Sequence, residues 1–278
     1  MSCVSLQLFA RLEARRCLKD IEPRLFPEDG GPDHGDLSGP FPVSKTELLY
    51  HLLCRCVLPN AAGGLEVDVV FVDTDYSLDM LRLVSILESR LNTEEAVLRS
   101  CLSRLLVVHC SSSSQLLLTL HFLETSLSSR PSLGLLLIDS ISAFYWLDRC
   151  EGGASLTKQE EKLSKCSELL DRLLRDYRIT VFATCHAIRR SLTGRSSSSC
   201  PESDRPYLCR PWQRLVTHRL LCSRQEAENN MAPTSGGNKE RKRRHVFTVH
   251  CTSSTSSSRT KAYRSSSFYV TDGGVEFI

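Results

Sequence analysis

Between Lys45 and Thr184 the chain alternates short, nearly continuous apolar runs with longer segments of helical spacing, a pattern that few folds accept. VDVVFVD, RLLVVHC, LGLLLID and ITVFAT are too short for stable helices and read as strands buried on both faces. KTELLYHLLCRCVL sets Leu48, Leu49, Leu52, Leu53 and Val57 on one stripe, and LDMLRLVSILESRL, QLLLTLHFLETSL and LTKQEEKLSKCSELLDRLLRDY also have helical spacing. Strands separated by helices join as right-handed βαβ units, so the expected architecture is α/β, with a mostly parallel central sheet flanked by helices.

Beyond Thr184 the texture changes. Residues 189–206 are rich in Ser and Arg without a period and read as a mobile loop, and 224–244 are polar, ending in the basic cluster Lys239, Arg241, Lys242, Arg243 and Arg244. YLCRPWQRLVTHRLLCS between them is ordered, with Tyr207 and Trp212 read as core. HVFTVHC and SFYVTDGGVEFI form closing antiparallel strands, with Gly273 and Gly274 at a turn. The expected divisions are an N-terminal helix and linker (1–34), a core (35–223), a basic flexible loop (224–244) and C-terminal strands completing the core (245–278).

The formal net charge of +3 conceals an asymmetry: residues 189–278 hold 16 Lys+Arg against 7 Asp+Glu, whereas the rest of the chain is net acidic. A polyanion would meet the C-terminal third, although a solvated Ser-rich region carries such charge equally well. The basic cluster likewise fits a nuclear-localisation signal or a solvated charge run. No apolar run approaches the roughly 18 residues needed to cross a bilayer. Thirteen cysteines, an odd number without a CxxC, read as reduced thiols. Arg11, Arg15 and Arg16 mimic a transit peptide, but Glu13 and the spacing of Phe9 and Leu12 fit a short helix.

GPFPVSKT, residues 39–46, has the spacing of a phosphate-binding Walker A loop, with Ser44 where the second glycine belongs. In an intact loop, consecutive backbone N–H groups curl around a phosphate, the lysine reaches the β and γ oxygens, and the following hydroxyl ligates Mg²⁺. Lys45 and Thr46 are present and open a helix, but Pro42 has no N–H to donate. A non-glycine in left-handed geometry at Ser44 costs about 1–2 kcal/mol. Upstream, HGDLS has Leu37 as its only apolar residue, and no strand of normal length is expected between Gly35 and Gly39. LLLID resembles a Walker B strand delivering Asp139 beside a magnesium position. VVFVDTD ends in Asp73 and Asp75, either able to orient a water, and VFATCHA ends in Thr184 and His186. All should converge at the C-terminal edge of one parallel sheet, where open α/β folds bind ligands.

In this order the motifs resemble the eukaryotic paralogues of the RecA-like strand-exchange proteins of homologous recombination. GPFPVSKT is similar to that family's Walker A, VDTD to its strand ending in a DTE-type triplet, LLLIDS to its Walker B and ATCHA to its strand ending in Thr-Asn-Gln. YLCRPWQRLVTHRL and FYVTDGGVEFI resemble its last strands. The resemblance implies a RecA-like P-loop ATPase core binding ATP and Mg²⁺ through Gly39, Ser44, Lys45, Thr46, Asp139 and His186, with Thr46 and Asp139 on the metal. It puts Asp75 where active members keep a catalytic glutamate. Residues 188–206 fall in the place of a DNA-binding loop, with Arg189, Arg190, Arg195 and Arg205 able to meet phosphates. It further implies a nuclear hetero-oligomer with other recombinase paralogues, acting on single-stranded or branched DNA and away from membranes.

The departures at the Walker A loop leave ATP binding open. They fit either a paralogue that has lost nucleotide binding or a spliced or mispredicted sequence across 35–44. The favoured expectation is a non-catalytic or weakly catalytic repair subunit that docks on other paralogues and helps load a recombinase. The alternative is an active DNA-dependent ATPase whose turnover controls its hold on DNA. A small-molecule P-loop kinase finds no lid in the sequence.

Overall fold

The computed structural model describes residues 18, 21–26, 34–38, 42–91, 95–153, 155–185, 208–225, 245–253 and 263–278. Their strands form one nine-stranded sheet in the order β3-β2-β4-β5-β1-β6-β7-β8-β9. The strands are β1 (His34–Ser38), β2 (Asp68–Asp73), β3 (Leu105–His109), β4 (Leu133–Asp139), β5 (Thr180–Thr184), β6 (His218–Gln225), β7 (Val246–Ser253), β8 (Tyr263–Thr271) and β9 (Gly274–Phe277). β3 through β6 in that spatial order run parallel, and β7, β8 and β9 extend the sheet antiparallel. The expected α/β architecture with closing antiparallel strands is therefore present.

The helices are α1 (Pro42–Val57), α2 (Met80–Leu91), α3 (Glu95–Ser103), α4 (Ser113–Ser129), α5 (Tyr145–Glu151), α6 (Leu156–Tyr177) and α7 (Arg210–Leu215). Because successive strand residues face opposite sides, β2 and β4 feed two cores at once. Val69, Phe71, Leu135 and Leu137 join Leu48, Leu52, Leu83 and Ile86 on one face, whereas Val70, Val72, Leu136 and Ile138 join Leu116, Leu120, Leu170 and Leu173 on the other. The stripe read from α1 is wholly buried, Leu48, Leu49, Leu52 and Leu53 each being 0% exposed. Trp212 is in the core as expected.

Two sequence expectations fail around the Walker A-like segment. A strand does form at His34–Ser38, and it is central, pairing parallel with β5 on one side and β6 on the other. Its weak apolar content is offset by main-chain bonding to two neighbours, which serves its N–H and C=O groups whatever the side chains. The following helix does not open at Lys45 but three residues earlier at Pro42. Proline suits that place, since its fixed φ is helical and the first turn lacks a partner for its missing N–H.

The C-terminal hairpin is tied to the helices by Arg82. Its guanidinium forks onto the Glu47 carboxylate at 2.9 and 3.1 Å and also donates to the carbonyls of Thr271 and Asp272 at 2.6 and 2.7 Å. Gly274 turns this hairpin at φ +97, and a β-carbon there would press to 3.2 Å from Ile86 Cγ2. None of the ten described cysteines is in a disulfide, and nine are buried. The two segments read as mobile loops, 189–206 and most of 224–244, lie outside the described residues, except that Arg224 and Gln225 belong to β6.

Candidate functional site

Asp139 ends β4 and is 5% exposed, a carboxylate at the rim that a lone apolar strand would leave without partners. Three hydroxyls from three different places supply them. Thr46 Oγ1 on α1 donates to Oδ2 at 3.2 Å, Ser77 Oγ on the segment after β2 donates to the same oxygen at 2.8 Å, and Thr184 Oγ1 at the end of β5 donates to Oδ1. Register makes this possible, because Asp73 of β2 lies opposite Asp139 and Ala183 opposite Ile138. Lys45 is 3% exposed and sends its ammonium to the Cys185 carbonyl at 2.7 Å, just past β5. Lys45, Thr46, Asp139 and Thr184 thus meet at one edge of the sheet.

Beside them, Asp73 is 1% exposed and staples the segment that follows it. Its two oxygens accept from the backbone N–H groups of Ser77 at 3.1 Å and Leu78 at 3.2 Å. The Tyr50 hydroxyl accepts from the Asp79 N–H at 2.7 Å, and burial pushes this phenol up to about 12, so it stays neutral. Thr74 bridges to Ser140 through its hydroxyl and to the Asp139 carbonyl through its N–H. Asp75 follows on the rim with its side chain exposed. Its amide donates to the Asp139 carbonyl at 3.3 Å.

Sequence reasoning missed Ser77, which carries no motif, and the pair Tyr76 and His109. Those two rings lie parallel with centroids 5.4 Å apart, and the His109 Nδ1 is 3.5 Å from Asp73. Nothing in the local sequence pairs them, since His109 ends β3 whereas Tyr76 lies three residues past the end of the neighbouring β2. Gly39, His186, Arg189, Arg190, Arg195 and Arg205 lie outside the described residues, as does the Ser44 side chain.

The chain available for a phosphate cradle is short. β1 ends at Ser38 and α1 begins at Pro42, so only residues 39–41 lie between them. Residues 42–44, which in a Walker A loop curl around a phosphate, are the first turn of a helix. A helix N-terminus offers N–H groups to a single anion, but it cannot encircle a triphosphate. The lysine, threonine and aspartate fit a nucleotide site, whereas Pro42 in the first turn of α1 has no N–H to offer one.

Comparison with known proteins accords with this frame. Residues 34–235 match the Rad51 family model. The chain is 51% identical over 232 residues to the DNA repair protein XRCC2 of Mus musculus, covering 79% of this chain and 84% of that protein. It is 23% identical over 250 residues to the XRCC2 homolog of Arabidopsis thaliana, with 67% of each chain covered. It is also 30% identical over 156 residues to RAD51 homolog 2 of Mus musculus, covering 54% of this chain and 43% of the other. With its RecA-like sheet, converging rim residues and these relatives, the chain belongs to the Rad51 family, as an XRCC2-like paralogue among proteins of DNA repair and recombination.

Proposed function

We propose that this protein is a nuclear subunit of a heteromeric assembly of recombinase paralogues, which binds single-stranded or branched DNA and promotes recombinase loading at breaks and damaged forks. In this reading ATP hydrolysis is weak or absent. The observation that carries it is the engagement of Lys45 with the Cys185 carbonyl, in a chain whose β1-to-α1 connection is three residues long. A nucleotide would have to draw that lysine off the backbone with few N–H groups to compensate. The family membership supports paralogue partners and a place in recombination.

Arg189, Arg190, Arg195 and Arg205 are the proposed DNA contacts, motivated by the excess of positive charge after residue 188. The test is a titration of ATP with and without Mg²⁺ against folded protein, alongside Lys45→Ala. Absence of binding supports the reading. Magnesium-dependent binding that disappears in Lys45→Ala overturns it in favour of an ATPase that uses Lys45, Thr46 and Asp139.

A further inference from the structure

A cleft of about 510 Å³ lies between residues 22–24, α1, the end of α2 and β9, and none of the rim residues lines it. Its floor is the buried pair His51 and Glu22, at 5% and 2% exposed, joined Nε2 to Oε2 at 2.6 Å. Arg90 Nη2 is 3.3 Å from His51 Nδ1. A guanidinium can only donate, so Nδ1 accepts, Nε2 carries the proton and the ring is neutral. Arg24 forks onto Glu22 at 2.7 and 3.1 Å and stacks its guanidinium 4.4 Å from the Phe277 ring.

The charges in this cleft do not balance. Glu22 answers Arg24, and Glu276 stands on the rim accepting from Thr271 Oγ1 at 2.8 Å. Arg55 donates to the Gly63 carbonyl and Arg90 to a neutral imidazole, so among the described residues neither guanidinium has a carboxylate partner. Arginines in the last turns of α1 and α2 complement the helix dipoles, but that does not require both to face one concave space. The cleft is also lined by Val275, Glu276 and Phe277 of β9, the last strand of the sheet order, whose outer main chain can receive an added strand.

We propose that this cleft docks an acidic, extended peptide segment of a partner protein, its carboxylates taken by Arg55 and Arg90 and its backbone laid along β9. Charge complementarity selects the occupant. Each guanidinium suits one carboxylate in a two-point contact, and the small local excess of positive charge does not suit a polyphosphate backbone. Residues 1–16 have the wrong sign, with Arg11, Arg15 and Arg16 against Glu13, whereas residues 27–33 carry Glu28, Asp29 and Asp33; a cleft filled by that stretch would leave wild-type protein that ignores an added acidic peptide. This docking does not depend on the reading of the nucleotide rim.

The test uses the full chain and a fluorescein-labelled heptapeptide, Gly-Glu-Val-Glu-Val-Glu-Gly, followed by anisotropy. The same peptide with Gln for Glu and a labelled thymidine oligonucleotide serve as comparisons. Expected are binding of the acidic peptide alone of the two, an affinity loss of at least tenfold in the double variant Arg55→Gln, Arg90→Gln, a gain in Glu276→Gln, and oligonucleotide binding unaltered by all three substitutions. Amide exchange of the wild type should slow at residues 274–277 when peptide is added, a readout that survives if the double variant fails to fold. Wild-type protein that ignores the peptide, a folded double variant that binds it normally, absent protection on β9, or parallel loss of oligonucleotide binding each overturns the proposal.

Discussion

The Lys45 ammonium donates to the Cys185 carbonyl across 2.7 Å, tying the start of α1 to the residue that follows β5. A lysine whose charge is satisfied this way is part of the fold even without nucleotide. Lys45→Ala should therefore lower stability by about 1–3 kcal/mol, because it strands a carbonyl and empties a buried position. In calorimetry that is a loss of several degrees, roughly 2–4 °C per kcal/mol for a chain of this class. Mg-ATP should raise the wild-type midpoint by less than about 1 °C, since a ligand stabilises only to the extent that it binds the native state. An unchanged midpoint in nucleotide-free Lys45→Ala would contradict the structural role.

Asp139 should behave as the hub of the rim. Replacing it by Ala removes the acceptor for Thr46, Ser77 and Thr184 together. The expected loss is on the order of 3 kcal/mol, since each stranded donor keeps its desolvation cost. Asp139→Asn retains one acceptor oxygen and should cost less. Urea unfolding of the three proteins gives the ranking, and equal midpoints would show that the hydroxyls find water instead.

How much of this was readable beforehand depended on where each signal resides. The strands ending at Asp73, Asp139 and Thr184 announce themselves because burial on both faces demands continuous apolar runs, and parallel register then carries their last residues to one edge. β1 did not, because the stability of a central strand comes from two neighbours that HGDLS does not encode. The helix start at Pro42 was hidden behind a motif whose spacing suggested a loop. Glu22 reaches His51 through the path of the N-terminal segment, Arg90 and Phe277 reach it from α2 and β9, and no period links the four.

Arg82 spans α1, α2 and the β8–β9 turn, and its Glu47 partner is buried at 8% exposure. Arg82→Ala should cost on the order of 3 kcal/mol, most of it the carboxylate left without its charge partner. Arg82→Lys should recover little, since a point charge cannot reproduce the fork onto Glu47 while also reaching two carbonyls. Amide exchange should report the damage locally, as faster exchange in β8 and β9 with little change in β2 and β4. Uniform acceleration across the sheet would count against this anchoring.

Thiol chemistry offers a separate check on the core. Burial pushes Cys54 and Cys166 up to about 12 and Cys251 up to about 11, leaving almost no thiolate at neutral pH. Cys150 is exposed. In native protein, iodoacetamide followed by mass spectrometry should modify Cys150 well before these three, whereas in urea the four should react alike. Early labelling of Cys54 would mean that α1 opens on its own.

The Glu22–His51 pair sets the acid limb of stability. Burial alone would raise the Glu22 carboxyl, but hydrogen bonds from His51 and Arg24 and the positive charge of Arg24 outweigh it, holding the group down from 4.5 to about 2. Its folded value lies below its unfolded one, so the unfolded chain takes up the proton first as pH falls. The stabilisation is complete above about 4.5 and is lost progressively towards about 2, for a total of about 2–3 kcal/mol. Burial also lowers His51 below 6.5, against the hydrogen bond to Glu22, with the Arg90 and Arg24 charges adding to the effect. The unfolded imidazole therefore protonates first too, and stability begins to slope downward below about 6.5. Glu22→Gln should flatten the limb below about 4.5 at the expense of stability at neutral pH, and His51→Gln should flatten the part that begins near 6.5. Urea midpoints measured from pH 8 to pH 3 test both, and a wild-type profile that stayed level down to pH 4 would refute the neutral-imidazole assignment.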